Sequence, residues 1–371
     1  MPTPPELQSI SRSASILTID LGAVQSNYRH IAALAAGAEC AAVVKADGYG
    51  LGALRVARAL CAVGCRTFFV AHLDEAITLR GVLRDETIYC FNGLTPGEAP
   101  VFAEYRINPV LNDLGQVAAW ARFCIDATAP PAALHLDTGM ARLGLMPAEA
   151  RRLAAEPDRL NGIDLALVMS HLACPDTPWH PLNQEQLALF TELTAPLPGS
   201  RRSLAASSGT FLGPAWHFDM VRPGAGLYGV SPNAGKPNPL RQVVSLKGKI
   251  LSVRIVDTPQ TVGYGATRRF TKPTMVATVA AGYADGYPRS LGNEGSALLG
   301  DTTVPVIGRV SMDLITLDVS NVPNVTPGDF VDLICPRHDI DALAAEAGTI
   351  GYEILTRLGH RYHRAYIEGD A

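Results

Sequence analysis

Charged side chains make up only 18% of the 371 residues, and no lysine or arginine run disturbs a net charge of −4. A nucleic-acid footprint needs a basic stripe or patch, so that class of partner is not expected. No apolar stretch reaches membrane-spanning length, and the opening MPTPPELQSISRSAS has prolines where a signal peptide would carry its apolar segment. The expectation is a soluble, cytoplasmic protein. Cysteine is sparse and odd in number: Cys40, Cys61, Cys65, Cys90, Cys124, Cys174 and Cys335. Without an export signal this pattern argues against a disulfide framework. Cys61 and Cys65 sit on an apolar helical pattern, RVARALCAVGC, with no second pair of ligands, so they read as core packing rather than zinc ligands.

What is present is an alternation. From Cys40 to about Arg222, short β-rich runs (CAAVV, TFFVA, TIYCF, INPVL, AALHL, LALVMSH, SLAAS, MVR) are separated by helical patterns such as GALRVARALCAVG and LNQEQLALFTEL. An open doubly wound sheet would also alternate. Eight runs, and no GxGxxG after the first, favour an N-terminal (β/α)8 TIM-like barrel over residues 12–235. SPNAGKPNPL, Ser231 to Leu240, then reads as a linker. Beyond it GKILSVRIV, MVATVAAGY, TTVPVIGRV, LITLDVS and DFVDLIC carry the β-branched alternation of a second, mainly β domain at 241–371. A strand near residues 15–20 is free to pack with either part.

Barrel chemistry belongs at the C-terminal ends of the strands, and the polar residues fall there. Lys45 ends the first run, His72 the second; Asp137 and Arg142 follow the fifth; His171 ends the sixth, Ser207 and Ser208 the seventh, Arg222 the eighth. Taken singly, each reads as an ordinary paired or capping side chain; it is their gathering on one rim that points to chemistry. SSGT and RPGAGLYG after the last two runs place glycines and hydroxyls at the usual phosphate corner of a barrel. A phosphate corner opposite a lone lysine suggests pyridoxal 5′-phosphate held as a Schiff base.

In AVVKADGYG, LDTGMARLG, MSHLAC, AASSGTF, FDMVRPGAGLYG, VGYGATRRF, AGYADGYPR and IGRVSMDLITLDV, taken in order, the chain resembles the alanine racemase family. The resemblance implies a pyridoxal-phosphate-dependent isomerase that interconverts L- and D-alanine for peptidoglycan or for D-alanine breakdown. It also implies a homodimer whose barrel mouths are completed by the partner's β domain. By motif, Lys45 carries the cofactor and is one base, and Tyr264 from the other protomer is the second. His171, backed by Arg222, pairs with Tyr264, and Arg222 faces the pyridine nitrogen. Tyr49, Ser208, Gly224 and Ala225 match phosphate contacts, the last two through backbone N–H groups. Arg142 matches the residue reaching the cofactor's phenolic oxygen and the substrate carboxylate, which the Met312 N–H also holds. Tyr283, Arg289, Arg309 and Asp313 match the entrance.

The sequence leaves the family pattern at two positions. His135 stands where many members carry a carbamylated lysine that braces the substrate-binding arginine, so Arg142 needs another brace: a neutral imidazole acceptor, a bound anion, or none. His360 stands where a phosphate-binding tyrosine is common, with Tyr352 and Tyr362 as substitutes. Rival readings are a broader-specificity racemase acting on serine or other amino acids, a decarboxylase of the same fold, and a non-catalytic pyridoxal-phosphate binding barrel. The last lacks a β domain, and decarboxylases place an acidic residue where this chain has Arg222.

Overall fold

The structure is a computed structural model that describes residues 12–197, 200–233 and 235–369. The first eleven residues of the proline-containing opening, residue 234 of the linker and the last two residues of the second domain's range lie outside the described residues. The described chain forms two compact units, one comprising Val24–Arg241 and the other the residues up to Ala23 together with those from Gln242 on.

The first strand, β1 (Ser15–Asp20), belongs to the second of these units. The barrel unit contains β2 (Glu39–Cys40), β3 (Ala42–Val43), β4 (Thr67–Val70), β5 (Thr87–Cys90), β6 (Asn108–Leu111), β7 (Ala132–His135), β8 (Leu165–Met169), β9 (Arg201–Ser203) and β10 (Met220–Val221). β3 to β9 form one parallel sheet in sequence order. β10 closes the ring, pairing in parallel with β2 (Met220 with Glu39, Val221 with Cys40), while Ala206, just past β9, bridges to Arg222. β3, β4, β6 and β7 are buried at every position, as expected for parallel strands covered on both faces.

The expected runs correspond to these strands with small shifts. Of SLAAS only the first residue lies in β9, and Ala206 makes an isolated bridge to Arg222, because the run turns toward the rim, where Ala205 C=O accepts from Arg222 N–H at 2.9 Å. Between strands, the helix Leu114–Asp126 shows how sequence sets the outer layer. Asp113 caps it, accepting from Gln116 N–H at 2.8 Å, and Val117 and Trp120, three residues apart, face inward. Trp120 is fully buried and meets Phe102 edge-on at 6.2 Å. Truncating such a side chain costs about 3–5 kcal/mol.

The other unit is built on β11 (Val244–Val256), which serves two sheets. Its first half pairs with β1 and β18 (Phe330–Ile334), and its second half, past a bulge at Ile250/Ser252, with β14 (Thr274–Val279). β12 (Thr261–Val262) and β13 (Arg268–Arg269) make a hairpin. β15 (Ser296–Leu299), β16 (Thr302–Pro305), β17 (Ile315–Asp318) and β19 (His363–Ile367) complete the unit, with β1 lying between β11 and β19. Sequence reading anticipated neither β15 and β19 nor the helices Ile340–Ala347 and Gly351–Arg357. The signals for the first helix were present: Asp339 caps it, accepting from Ala342 N–H at 2.8 Å, and Gly348 ends it at φ 70°.

Candidate active site

The barrel rim begins where β3 delivers Lys45. The next four residues, Ala46, Asp47, Gly48 and Tyr49, all have positive φ between 53° and 63°. Each non-glycine residue in that region costs on the order of 1–2 kcal/mol, so the turn needs bracing. Asp47 Oδ1 accepts from Ala53 N–H at 2.9 Å, and Gly50 N–H donates to Ala46 C=O at 2.7 Å. The turn directs Tyr49 inward, its ring 4.7 Å from that of Tyr228. A Cβ on Gly224 would collide with the Tyr49 hydroxyl, which is why that loop position carries no side chain. Burial and the nearby Arg142 guanidinium hold the Lys45 amine below the usual lysine range, and Glu75 opposes them. Lys45 Nζ sits 5.9 Å from the centroid of the Phe91 ring.

Arg222 is 1% exposed and has no carboxylate partner among the described residues. It donates to Ser170 C=O at 2.6 Å and to Ser203 Oγ. Those contacts leave part of its guanidinium fork available to an acceptor. Burial pulls its pKa down to about 9, still cationic at neutral pH. A buried unpaired cation is expensive, and it depresses its neighbours. Burial first, then Arg222 and Arg142, lower His171 to about 3, and burial with Arg222 lowers His135 to about 4. Both imidazoles are therefore neutral. The Asn112 amide donates to Phe91 C=O and Val110 C=O, each at 2.9 Å, which fixes its oxygen toward His135 Nδ1 at 2.8 Å. His135 Nδ1 must then carry the proton, leaving Nε2 as an acceptor.

Asp137 is buried and braces its own loop. Its Oδ1 accepts from the N–H groups of Gly139, Met140 and Ala141 at 2.8, 2.9 and 3.1 Å, shaping the loop that presents exposed Arg142. At the phosphate corner, Ser207 Oγ accepts from Gly224 N–H at 2.9 Å and from Gly226 N–H at 3.0 Å. Gly224 N–H is thus already engaged, so the Ala225 N–H and the Ser208 hydroxyl are the donors the corner presents. His72 is exposed and meets the Asn92 amide at 3.2 Å through its ring nitrogen.

The β unit carries the remaining candidates on loops. Tyr264 stands at the tip of the β12–β13 hairpin, 71% exposed, in a turn with Gly263 and Gly265 at φ 74° and Ala266 at φ 49°. The Arg309 side chain lies against this turn, since a Cβ on Gly265 would be 2.9 Å from its Nη1. Three residues further on, Met312 C=O accepts from Ala284 N–H at 2.9 Å, and Ser311 C=O from Tyr283 N–H at 3.1 Å. The segment from Arg309 to Met312 therefore ties the Tyr264 turn to the Tyr283 loop. Arg361, not singled out from sequence, bridges Asp285 Oδ1 at 3.0 Å and Asp313 Oδ1 at 2.7 Å, locking the same loops. Arg289 and His360 are exposed on this unit, as is Tyr352. Tyr362 is 3% exposed with an unpartnered hydroxyl, so it does not present a phosphate contact at the surface.

Three features converge on the barrel rim: a lysine of lowered basicity, a buried guanidinium without a counter-ion, and hydroxyl and N–H donors at the corner after β9 and β10. Together they define a barrel enzyme suited to an anionic aromatic cofactor fixed by a lysine, and pyridoxal phosphate fits these residues. Models of the alanine racemase N-terminal and C-terminal domains match residues 19–232 and 243–366. An alanine racemase of Rhodospirillum rubrum is 51% identical over 360 residues, 96% of either chain. A protein of Mesorhizobium japonicum named as a catabolic alanine racemase is 47% identical over 97% of this chain and 95% of its own. The crystal structure of the Bartonella henselae alanine racemase with covalently bound pyridoxal phosphate superposes with a TM-score of 0.93 at 39% identity, covering 96% of this chain and all of that one. The chain belongs to the alanine racemase family.

Proposed function

We propose that this chain is a pyridoxal-phosphate-dependent isomerase that interconverts L- and D-alanine by exchanging the Cα proton between two bases. The carrying observation is the buried, uncompensated Arg222 on the same rim as Lys45. When bound, pyridoxal phosphate supplies the electron sink that acidifies the substrate's Cα–H. The protein's task is then to position two bases and bind two anions. Lys45 anchors the cofactor and serves one face; burial and the Arg142 guanidinium lower its basicity, which favours the acceptor form of the amine. Arg222 donates to the cofactor's ring nitrogen without giving up its proton. Ser208, Ala225 N–H and Tyr49 hold the phosphate, and Arg142 with Met312 N–H holds the substrate carboxylate.

Racemisation returns the proton to the opposite face, and a single fixed base favours retention. The second base is Tyr264 of the partner subunit, accepted by the neutral His171 ring. Exposure of Tyr264, Met312 and Tyr283 supports this homodimeric arrangement, because those side chains need a covering surface to act. Arg289, Arg309 and Asp313 line the entrance. A methyl group offers about 1–3 kcal/mol of discrimination, so alanine is preferred over larger substrates by a modest margin. The reaction belongs in the cytoplasm, where it supplies D-alanine for peptidoglycan or removes it. Circular dichroism of the holoenzyme with L-alanine, L-serine and L-lysine tests the reading. Decay of the alanine signal alone is expected; equal decay of all three would indicate a broad racemase, and no decay with alanine would overturn the assignment.

A further inference from the structure

Glu75 has no part in the chemistry derived above, yet it occupies a singular position behind Lys45. It lies in the first turn of the helix Leu73–Arg80, where its Oε2 accepts from His72 N–H at 3.2 Å. Capping that helix accounts for this contact alone. The same Oε2 also accepts from Ala71 N–H at 2.8 Å, and Oε1 reaches across to Ala46 N–H at 2.6 Å. Ala46 follows Lys45 directly and opens the left-handed turn, at φ 53°. One carboxylate thereby joins the rim segments after β3 and β4 and braces the strained peptide that carries the lysine.

We propose that Glu75 is the positioning residue of Lys45, clamping its backbone and placing one carboxylate against the peptide that follows it. The inference rests on the role given to Lys45 above. The charged and titratable groups around that amine are Arg142 from the loop after β7, His171 from the loop after β8, and Glu75 from the helix after β4. His171 is neutral, so Glu75 is the one anion among them. With Glu75 removed, the Arg142 cation acts unopposed and the lysine holds its proton less tightly.

The test is a pH titration of the visible absorbance of the lysine–cofactor linkage in the holoenzyme, alongside kcat, KM and thermal unfolding. Glu75→Gln keeps the size and an acceptor oxygen but loses the charge; its midpoint is expected to fall by about one pH unit, with the kcat profile moving equally. Glu75→Asp keeps the charge but is too short to span both segments; it is expected to hold the midpoint close to that of the parent while lowering kcat and releasing cofactor faster. An unchanged midpoint in folded Glu75→Gln holoenzyme overturns the inference, whatever happens to the rate. Lys45→Ala keeps the two readings apart. Loss of the linkage band and of racemisation in that variant upholds Lys45 even if Glu75→Gln shifts nothing, and a retained band overturns the reading on which the inference rests.

Discussion

The barrel rim and the β-unit loops hold their candidate residues in two kinds of environment. On the rim, Arg222, His135 and Lys45 are already desolvated, and burial is the leading cause of every shift in their proton affinities. In the β unit, Tyr264, Tyr283 and Met312 lie in the open on loops held by backbone hydrogen bonds and by Arg361. The first group carries its low-dielectric surroundings within the chain, whereas the second is rigid but uncovered. Tyr264 is thus presented with its geometry fixed and its surroundings open to solvent, so the role proposed for it as a base requires a covering surface.

The sharpest way to break this comparison is Tyr264→Phe. An exposed hydroxyl contributes little to folding, so the unfolding midpoint should stay within experimental error of the parent. Turnover should fall roughly 100-fold to 10,000-fold, the usual worth of a positioned acid–base group. Solvent-deuterium incorporation should be lost from one enantiomer far more than from the other; equal losses would remove the two-base division. Arg222→Met should show the opposite pairing. Exchanging a buried cation without a carboxylate partner for an apolar side chain is expected to raise stability by about 1–4 kcal/mol while activity collapses. Chemical denaturation read alongside circular dichroism of alanine checks both, and a destabilised variant would show that Arg222 serves the fold.

Much of this division was legible in the sequence, for reasons specific to particular residues. Parallel barrel strands are buried on both faces, so TFFVA and TIYCF stand out as apolar runs, and polar residues at their ends mark the rim. Lys45 and Arg222 could be seen because they gather with other polar residues at the ends of such runs, although each taken singly has a bland reading. Asn112 and Glu75 were not seen, because a side chain that bonds to backbone groups on a distant segment has no local signature. Asp137 was seen on the rim, and the sequence did not reveal that its Oδ1 anchors its own loop. In the β unit, β19 pairs in parallel with β1 across almost the whole chain, which a linear pattern does not encode, whereas β15 forms a tight hairpin with β16 that the sequence reading did not resolve.

A smaller effect separates the regions by pH. The His135 pKa is lowered to about 4 in the folded chain, against about 6.5 for an unperturbed imidazole. Between those values the unfolded chain binds more protons than the folded one, so stability should fall as pH drops from about 6.5 toward 4 and level off above that window. His171, lowered to about 3, extends the decline further into acid. Denaturation midpoints across this range should slope less steeply in His135→Asn than in the parent. Identical slopes would place the acid sensitivity outside His135.

The smallest expected effect is a null one, and it bears on how the rim manages without an anion at residue 135. A carbamate requires an amine, which His135 lacks, so added bicarbonate should leave activity unchanged. The ring offers a neutral acceptor in the His135 Nε2 lone pair, because Nδ1–H donates to Asn112 Oδ1 at 2.8 Å and the Asn112 amide is itself fixed by the Phe91 and Val110 carbonyls. Arg142 and Arg222 are the cations whose fields reach that ring. A neutral acceptor attracts a guanidinium less strongly than an anion does, so Arg142 should bind substrate carboxylate with more freedom than a carbamate-braced arginine would. His135→Lys supplies the missing amine; its activity should rise with bicarbonate, while the parent remains flat. A bicarbonate response in the parent would show that Arg142 draws on an anion from solution, and the neutral imidazole would then not be its brace.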